Sequence, residues 1–160
     1  MFETNWMEKW QGAVNSNGPM SWIGKHFTAD FLFGFGDTQY QVSFREGKLV
    51  SFSDEIGPET CYGLAIRGPA ETWTKFCQEV PPPMYNDLWA MAHPLHGRLT
   101  LEGDQMLLWQ NMRALMWALD RMREIYRLLN LVEIKNGKNR TDNWALRLGS
   151  LRGRRISNLF

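Results

Sequence analysis

Apolar residues open the chain at helical spacing: Phe2, Trp6, Trp10, Ala13 and Val14 lie three or four apart, which predicts an amphipathic helix over residues 3–15. Asn15-Ser16-Asn17-Gly18-Pro19 then stops the pattern. From Phe27 the period changes to two, putting Phe27, Ala29, Phe31, Phe33 and Phe35 on one side and Thr28 and Asp30 on the other, as in a strand with an aromatic face. Gly36-Asp37-Thr38 and Glu46-Gly47-Lys48 read as turns. Between them Tyr40, Val42 and Phe44 mark a second strand, and Val50, Phe52 and Asp54 follow as a third. After Gly57-Pro58, Tyr62, Leu64 and Ile66 mark a fourth, so four consecutive strands are expected as an antiparallel meander.

Gly68-Pro69 opens a helix with Pro69 at its first position, and Trp73, Phe76, Cys77 and Val80 form its apolar stripe. Pro81-Pro82-Pro83 ends that helix, and a shorter one is expected from Tyr85 to Ala92, carrying Leu88, Trp89 and Met91. Leu99 and Leu101 alternate with Arg98, Thr100 and Glu102 in a fifth strand that ends at Gly103. Asp104 then caps the longest helix, whose Leu108, Met112, Leu115, Leu119, Met122, Tyr126 and Leu129 keep one stripe apolar throughout. On the opposite side Met106, Trp109, Met116 and Trp117 share a face with Arg113, Asp120, Glu124 and Arg127. The first half of this helix is therefore apolar nearly all round. Such a helix has to be covered on every side, either by the chain's own core or by a ligand or partner.

Composition narrows the class. Of 160 residues 44% are apolar and 22% charged, the profile of one folded domain, and a chain of this length buries roughly 68–70% of its unfolded surface without needing disulfide or metal staples. The net charge of +1 argues against a protein built to grip phosphates over its whole surface, so nucleic acid is not an expected partner. The balance is uneven, because residues 130–160 carry seven basic and two acidic groups, giving an acidic body and a basic tail. That tail also holds Trp144, Leu146, Leu148, Leu151, Ile156, Leu159 and Phe160, so it is expected to dock on the body or on a second subunit with its arginines at the rim. Cys61 and Cys77 stand outside any CxxC framework and read as two buried thiols of a cytoplasmic protein. No secretory leader and no bilayer-spanning run is expected.

Motifs for chemistry are few. His93 and His96 sit in His-Pro-Leu-His, which suits a surface or structural pair better than zinc, since no ligand cluster lies beside them. Glu102 and Asp104 flank Gly103 and read as a strand end and a helix cap rather than paired acids. No nucleophile elbow, phosphate loop or dinucleotide fingerprint is present, so no catalytic residue, metal or cofactor is assigned.

The order helix, four strands, two helices, strand, long helix resembles the sterol carrier protein type 2 family of lipid-binding domains. Two stretches carry the likeness: Leu64-Ala65-Ile66-Arg67-Gly68-Pro69-Ala70-Glu71-Thr72-Trp73, similar to the family's strand, glycine and helix start, and Gly97-Arg98-Leu99-Thr100-Leu101-Glu102-Gly103-Asp104, similar to its late strand leading into the last helix. The likeness covers roughly residues 26–125. It implies an α+β fold, a five-stranded, mostly antiparallel sheet with helices on one face, spanning residues 1–129 with helix 3–15 in front of a sheet-and-helix body over 26–129. It also implies an apolar tunnel for a fatty acyl or sterol-like molecule. Phe31, Phe33, Phe35, Trp73, Phe76, Trp89, Trp109, Met112, Met116 and Trp117 are the residues expected to line it. A second reading keeps the fold but fills the tunnel with some of the eight tryptophans, making the long helix and tail a homodimer or partner interface. A third is a small enzyme acting on an apolar substrate in the same pocket, with His93, His96 or Asp37 as acid or base.

Overall fold

The structure, a computed structural model, describes residues 2–135. Residues 1–127 form one compact unit, and residues 128–160 fall in a second, of which residues 128–135 are described, as helix. The expected docking of the tail 130–160 thus lies, from residue 136 onward, outside the described residues.

The observed class is α+β, with five strands in one sheet. Helix α1 (Thr4–Asn15) precedes a short α2 (Gly18–Ile23), then β1 (Ala29–Phe35), β2 (Thr38–Arg45), β3 (Lys48–Ser53) and β4 (Leu64–Gly68). Two short helices, α3 (Ala70–Phe76) and α4 (Leu88–Ala92), lead to β5 (Thr100–Gly103) and the long α5 (Gln105–Lys135). Strands are ordered β3-β2-β1-β4-β5, antiparallel at every pair except β1–β4. The four-strand meander is therefore corrected to three. The chain leaves β3, crosses by residues 54–63 and lays β4 parallel to β1, because β4 carries the buried Leu64 and Ile66 into register with Phe31 and Phe33.

Local chemistry explains the elements. Phe35 pairs with Thr38 and Arg45 with Lys48, so both hairpins close with two-residue loops. The second has Glu46 at φ 51° and Gly47 at φ 78°, the doubly left-handed loop that matches strand twist. A bulge between Ser43 and Phe44 turns Leu49 inward and leaves Val50, one of the residues that mark the third strand, exposed. Asp104 caps α5 as expected, its Oδ1 accepting from the Met106 amide at 2.9 Å. Pro69 is the residue just before α3 rather than its first, and α3 ends at Phe76, which leaves Val80 exposed. α4 starts only at Leu88, where Asp87 accepts from the Ala90 amide at 2.7 Å.

Helix α2 falls where the sequence reads as a stop. Asn17 accepts from the Met20 amide at 3.1 Å and Pro19 occupies the first turn, where a missing N–H costs nothing. Its end packs against the β2–β3 turn so closely that a Cβ on Gly24 would stand 2.6 Å from the Gly47 Cα. The glycine pair therefore fixes where α2 lies.

Between the sheet and the helices sits an aromatic core. Trp10 packs edge-on against Phe33 and Phe44, and Trp73 against Phe33 and Phe35, with ring centroids 5.0–6.3 Å apart. The Trp10 indole donates to the Ala118 carbonyl of α5, and the Trp73 indole to the Gly34 carbonyl of β1, both at 2.8 Å. Each of these two buried rings thus keeps its N–H satisfied. On the other face of the sheet Leu32 and Ala65 are also buried, and Gln41 donates to the Cys61 carbonyl of the crossing segment at 2.7 Å.

Candidate functional site

The ten residues expected to line a tunnel separate into two groups. Phe31, Phe33, Phe35, Trp73 and Phe76 are buried in the aromatic core. There Phe2 stacks on Phe35 at 4.4 Å, and Trp6 and Trp10 occupy the adjoining space. The other five lie on α4 and α5, and the rings among them make no ring contact with that cluster among the described residues. Trp89 and Trp109 are 54% and 50% exposed with their rings 4.8 Å apart, while Met112, Met116 and Trp117 are half-buried. The Arg121 guanidinium lies over the Trp117 ring at 5.6 Å.

The opening turns of α5 border a cleft on their other flank. Its floor is Phe27 and Ala114, both buried, and its walls are Ile23 and the 87% exposed Trp22 of α2. His26, Gln110, Asn111 and Arg113 form its rim, and its volume is about 420 Å³. Arg113 has no ion pair among the described residues, whereas Arg121 and Arg123 on the same helix bind Glu124 and Asp120. Sequence reasoning missed the α2 side of this cleft. The signal was present in Asn17-Gly18-Pro19, a cap followed by a first-turn proline.

A larger concavity of about 560 Å³ lies beside residues 55–61 and Gln41. It is lined by Glu55, Glu59, Thr60 and Cys61 among others, with no buried side chain in its wall among the described residues. Apolar affinity needs surface that a ligand can remove from water, which in the smaller cleft is offered by Trp22 and Ile23 beside a dry floor, so the smaller cleft is the better candidate.

Residues singled out for chemistry take structural positions. The His93 and His96 rings are 5.5 Å apart in the loop after α4, and His93 Nδ1 accepts from the Leu95 amide at 3.3 Å. No group of three metal-ligating side chains occurs among the described residues. Glu102 pairs with Arg67 across β4 and β5. Cys77 is buried, and burial pushes its thiol up to about 12 despite the opposing Arg123 guanidinium. Cys61, expected to be buried, is exposed, because it lies on the segment crossing the outer sheet face.

This architecture is that of the sterol carrier protein 2 fold. The crystal structure of sterol carrier protein 2 superposes with a TM-score of 0.60 at 13% identity, covering 78% of this chain and 98% of that one. The solution structure of a conserved hypothetical protein from Thermus thermophilus, a candidate sterol carrier protein, gives 0.59 at 15% identity, covering 78% and 89%. No protein-family model matches the sequence, and no curated protein matches it. Among the described residues no helix is long and apolar enough to cross a membrane.

Proposed function

We propose that the chain is a non-catalytic binding module for a hydrophobic or amphipathic small molecule of fatty acyl or sterol-like character, acting as a carrier or accessory protein. One observation carries this reading: the cleft beside the opening turns of α5 places buried Phe27 and Ala114 at the bottom of a space of about 420 Å³, within the range of small-molecule sites. The shared fold supports it, since the solved neighbour is named as a sterol carrier. In this reading Met112, Met116, Trp109, Trp117 and Trp89 extend the apolar surface around the same helix, and adaptable methionines suit cargo of varied shape. Phe31 packs against Phe27 of the cleft floor with ring centroids 5.8 Å apart, while Phe33, Phe35, Trp73 and Phe76 lie further along the aromatic core.

Native mass spectrometry of the purified full chain, followed by titration with decanol while the indole N–H resonances are observed, tests the proposal. Retained apolar cargo, or a saturable shift of the Trp22 signal that disappears in Trp22→Phe, is the expected result. An adduct-free spectrum together with unmoved indole signals refutes it. The half-exposed Trp89–Trp109 pair favours one second reading, an accessory subunit whose interior is filled and whose α4–α5 flank meets a second copy or a partner. Light scattering showing a monomer at all concentrations removes the homodimer form of it.

A further inference from the structure

We infer that the cleft between α2 and α5 selects an amphiphile with a single anionic head, and that Arg113 is the residue that reads the head; this rests on the binding reading above and gives its ligand class. The cleft's polar groups are segregated from its apolar ones. Phe27 and Ala114 are covered at the bottom, and every polar lining side chain stands at the rim. Among the described residues Arg113 is the one arginine or lysine that lines the cleft, and no carboxylate lines it.

An arginine engaged in a salt bridge has its charge answered within the chain. Arg123 shows that state one face away, donating to Asp120, to the Phe76 carbonyl and to the Asn86 carbonyl. Arg113 is exposed and has no such partners among the described residues. Its planar, five-donor guanidinium matches the two oxygens of a carboxylate or a sulfate better than a neutral hydroxyl. Gln110 and His26 add hydrogen-bonding groups at the same rim, while the Asn111 amide is turned back to the Leu107 carbonyl at 2.9 Å. Trp22 completes the division of labour: its indole is held largely in water at the cleft wall, free to close over an apolar chain and recover the buried area it lacks.

The test uses the full-length chain and three free probes kept below their micelle concentrations: decanoate, decanol and decyltrimethylammonium. Calorimetry and the Trp22 indole resonance are read for the wild type and for Arg113→Gln, whose fold is checked by circular dichroism. Decanoate is expected to bind more tightly than decanol, with the cationic probe weakest. Arg113→Gln should weaken decanoate roughly tenfold and leave decanol unchanged. Equal affinity for decanoate and decanol, untouched by Arg113→Gln, overturns head-group selection while the apolar cleft stands. Failure of all three probes to move the Trp22 signal removes the cleft reading as well. Sedimentation with phosphatidylglycerol vesicles that requires Arg113, without decanoate binding, also overturns the inference, because it assigns the arginine to a bilayer surface.

Discussion

Trp6 and Trp10 offer a matched pair for testing what the buried indoles contribute. They sit one turn apart on α1, both buried, with ring centroids 6.3 Å apart. Trp10 donates to the Ala118 carbonyl at 2.8 Å, whereas the Trp6 indole nitrogen is buried with no partner among the described residues. Replacing either by Phe removes a comparable apolar volume, a packing loss of about 1–2 kcal/mol at each site. At Trp10 the hydrogen bond adds a net loss of about 1 kcal/mol, and at Trp6 deleting an unsatisfied donor returns roughly 1–3 kcal/mol. Trp10→Phe should therefore be the more damaging by about 2 kcal/mol or more, roughly 6–10 °C in Tm for a domain of this size. Urea unfolding followed by far-ultraviolet circular dichroism, which does not depend on the indole removed, measures both. Equal midpoints, or a larger loss in Trp6→Phe, would show that the hydrogen-bond accounting is wrong.

Three further outcomes follow from the same structure. Asn15 grips the outer edge of β3, accepting from the Leu49 amide at 2.9 Å and donating to its carbonyl at 3.0 Å; Asn15→Ala should cost about 1–2 kcal/mol in urea unfolding and increase light scattering on heating, since it bares a strand edge. A thiol reagent should label Cys61 rapidly in the native chain and Cys77 only after denaturation, because burial holds the latter's thiol protonated; fast native labelling of both would contradict the packing described. Partial burial raises the Asp30 pKa, but hydrogen bonds from Arg45 and Ser43 outweigh it and hold the carboxyl below the usual range. Its contribution is thus complete above the unfolded value of about 3.9 and is lost as pH falls through the lower folded value. The pair is partly solvated, so Asp30→Asn should remove no more than about 1 kcal/mol at about pH 7 and nothing in strong acid, as compared by unfolding midpoints at the two pH values.

The elements around the cleft were partly legible in the sequence, but none of the residues expected to line a tunnel lines it. Early α5 borders the cleft through Gln110, Asn111, Arg113 and Ala114, none of them among the residues expected to line a tunnel, while the expected Met112 and Met116 are half-buried elsewhere on the helix. The aromatic face of β1 marked a place where something bulky must pack. Nothing in its alternation said that the packing partners would be Phe2, Trp6 and Trp10 of the chain itself. Trp22 and His26 stayed hidden behind Gly18-Pro19, which stops a helix in most settings and starts one when a capping Asn stands before it.

Elements whose signals are local could be read directly from the order of residues. These include α1 from its four-residue steps, the β1–β2 and β2–β3 hairpins from alternation and turn residues, and the start of α5 from its Asp104 cap. Long-range packing was needed to lay β4 parallel beside β1, to turn Leu49 inward through a bulge, and to leave one flank of α5 as an open cleft. The physical reason is common to all three. Periodicity says which side of an element must leave water, but any apolar surface of suitable shape can cover it. Only the simultaneous packing of distant segments selects the surface that does, and any face left over is open to a ligand.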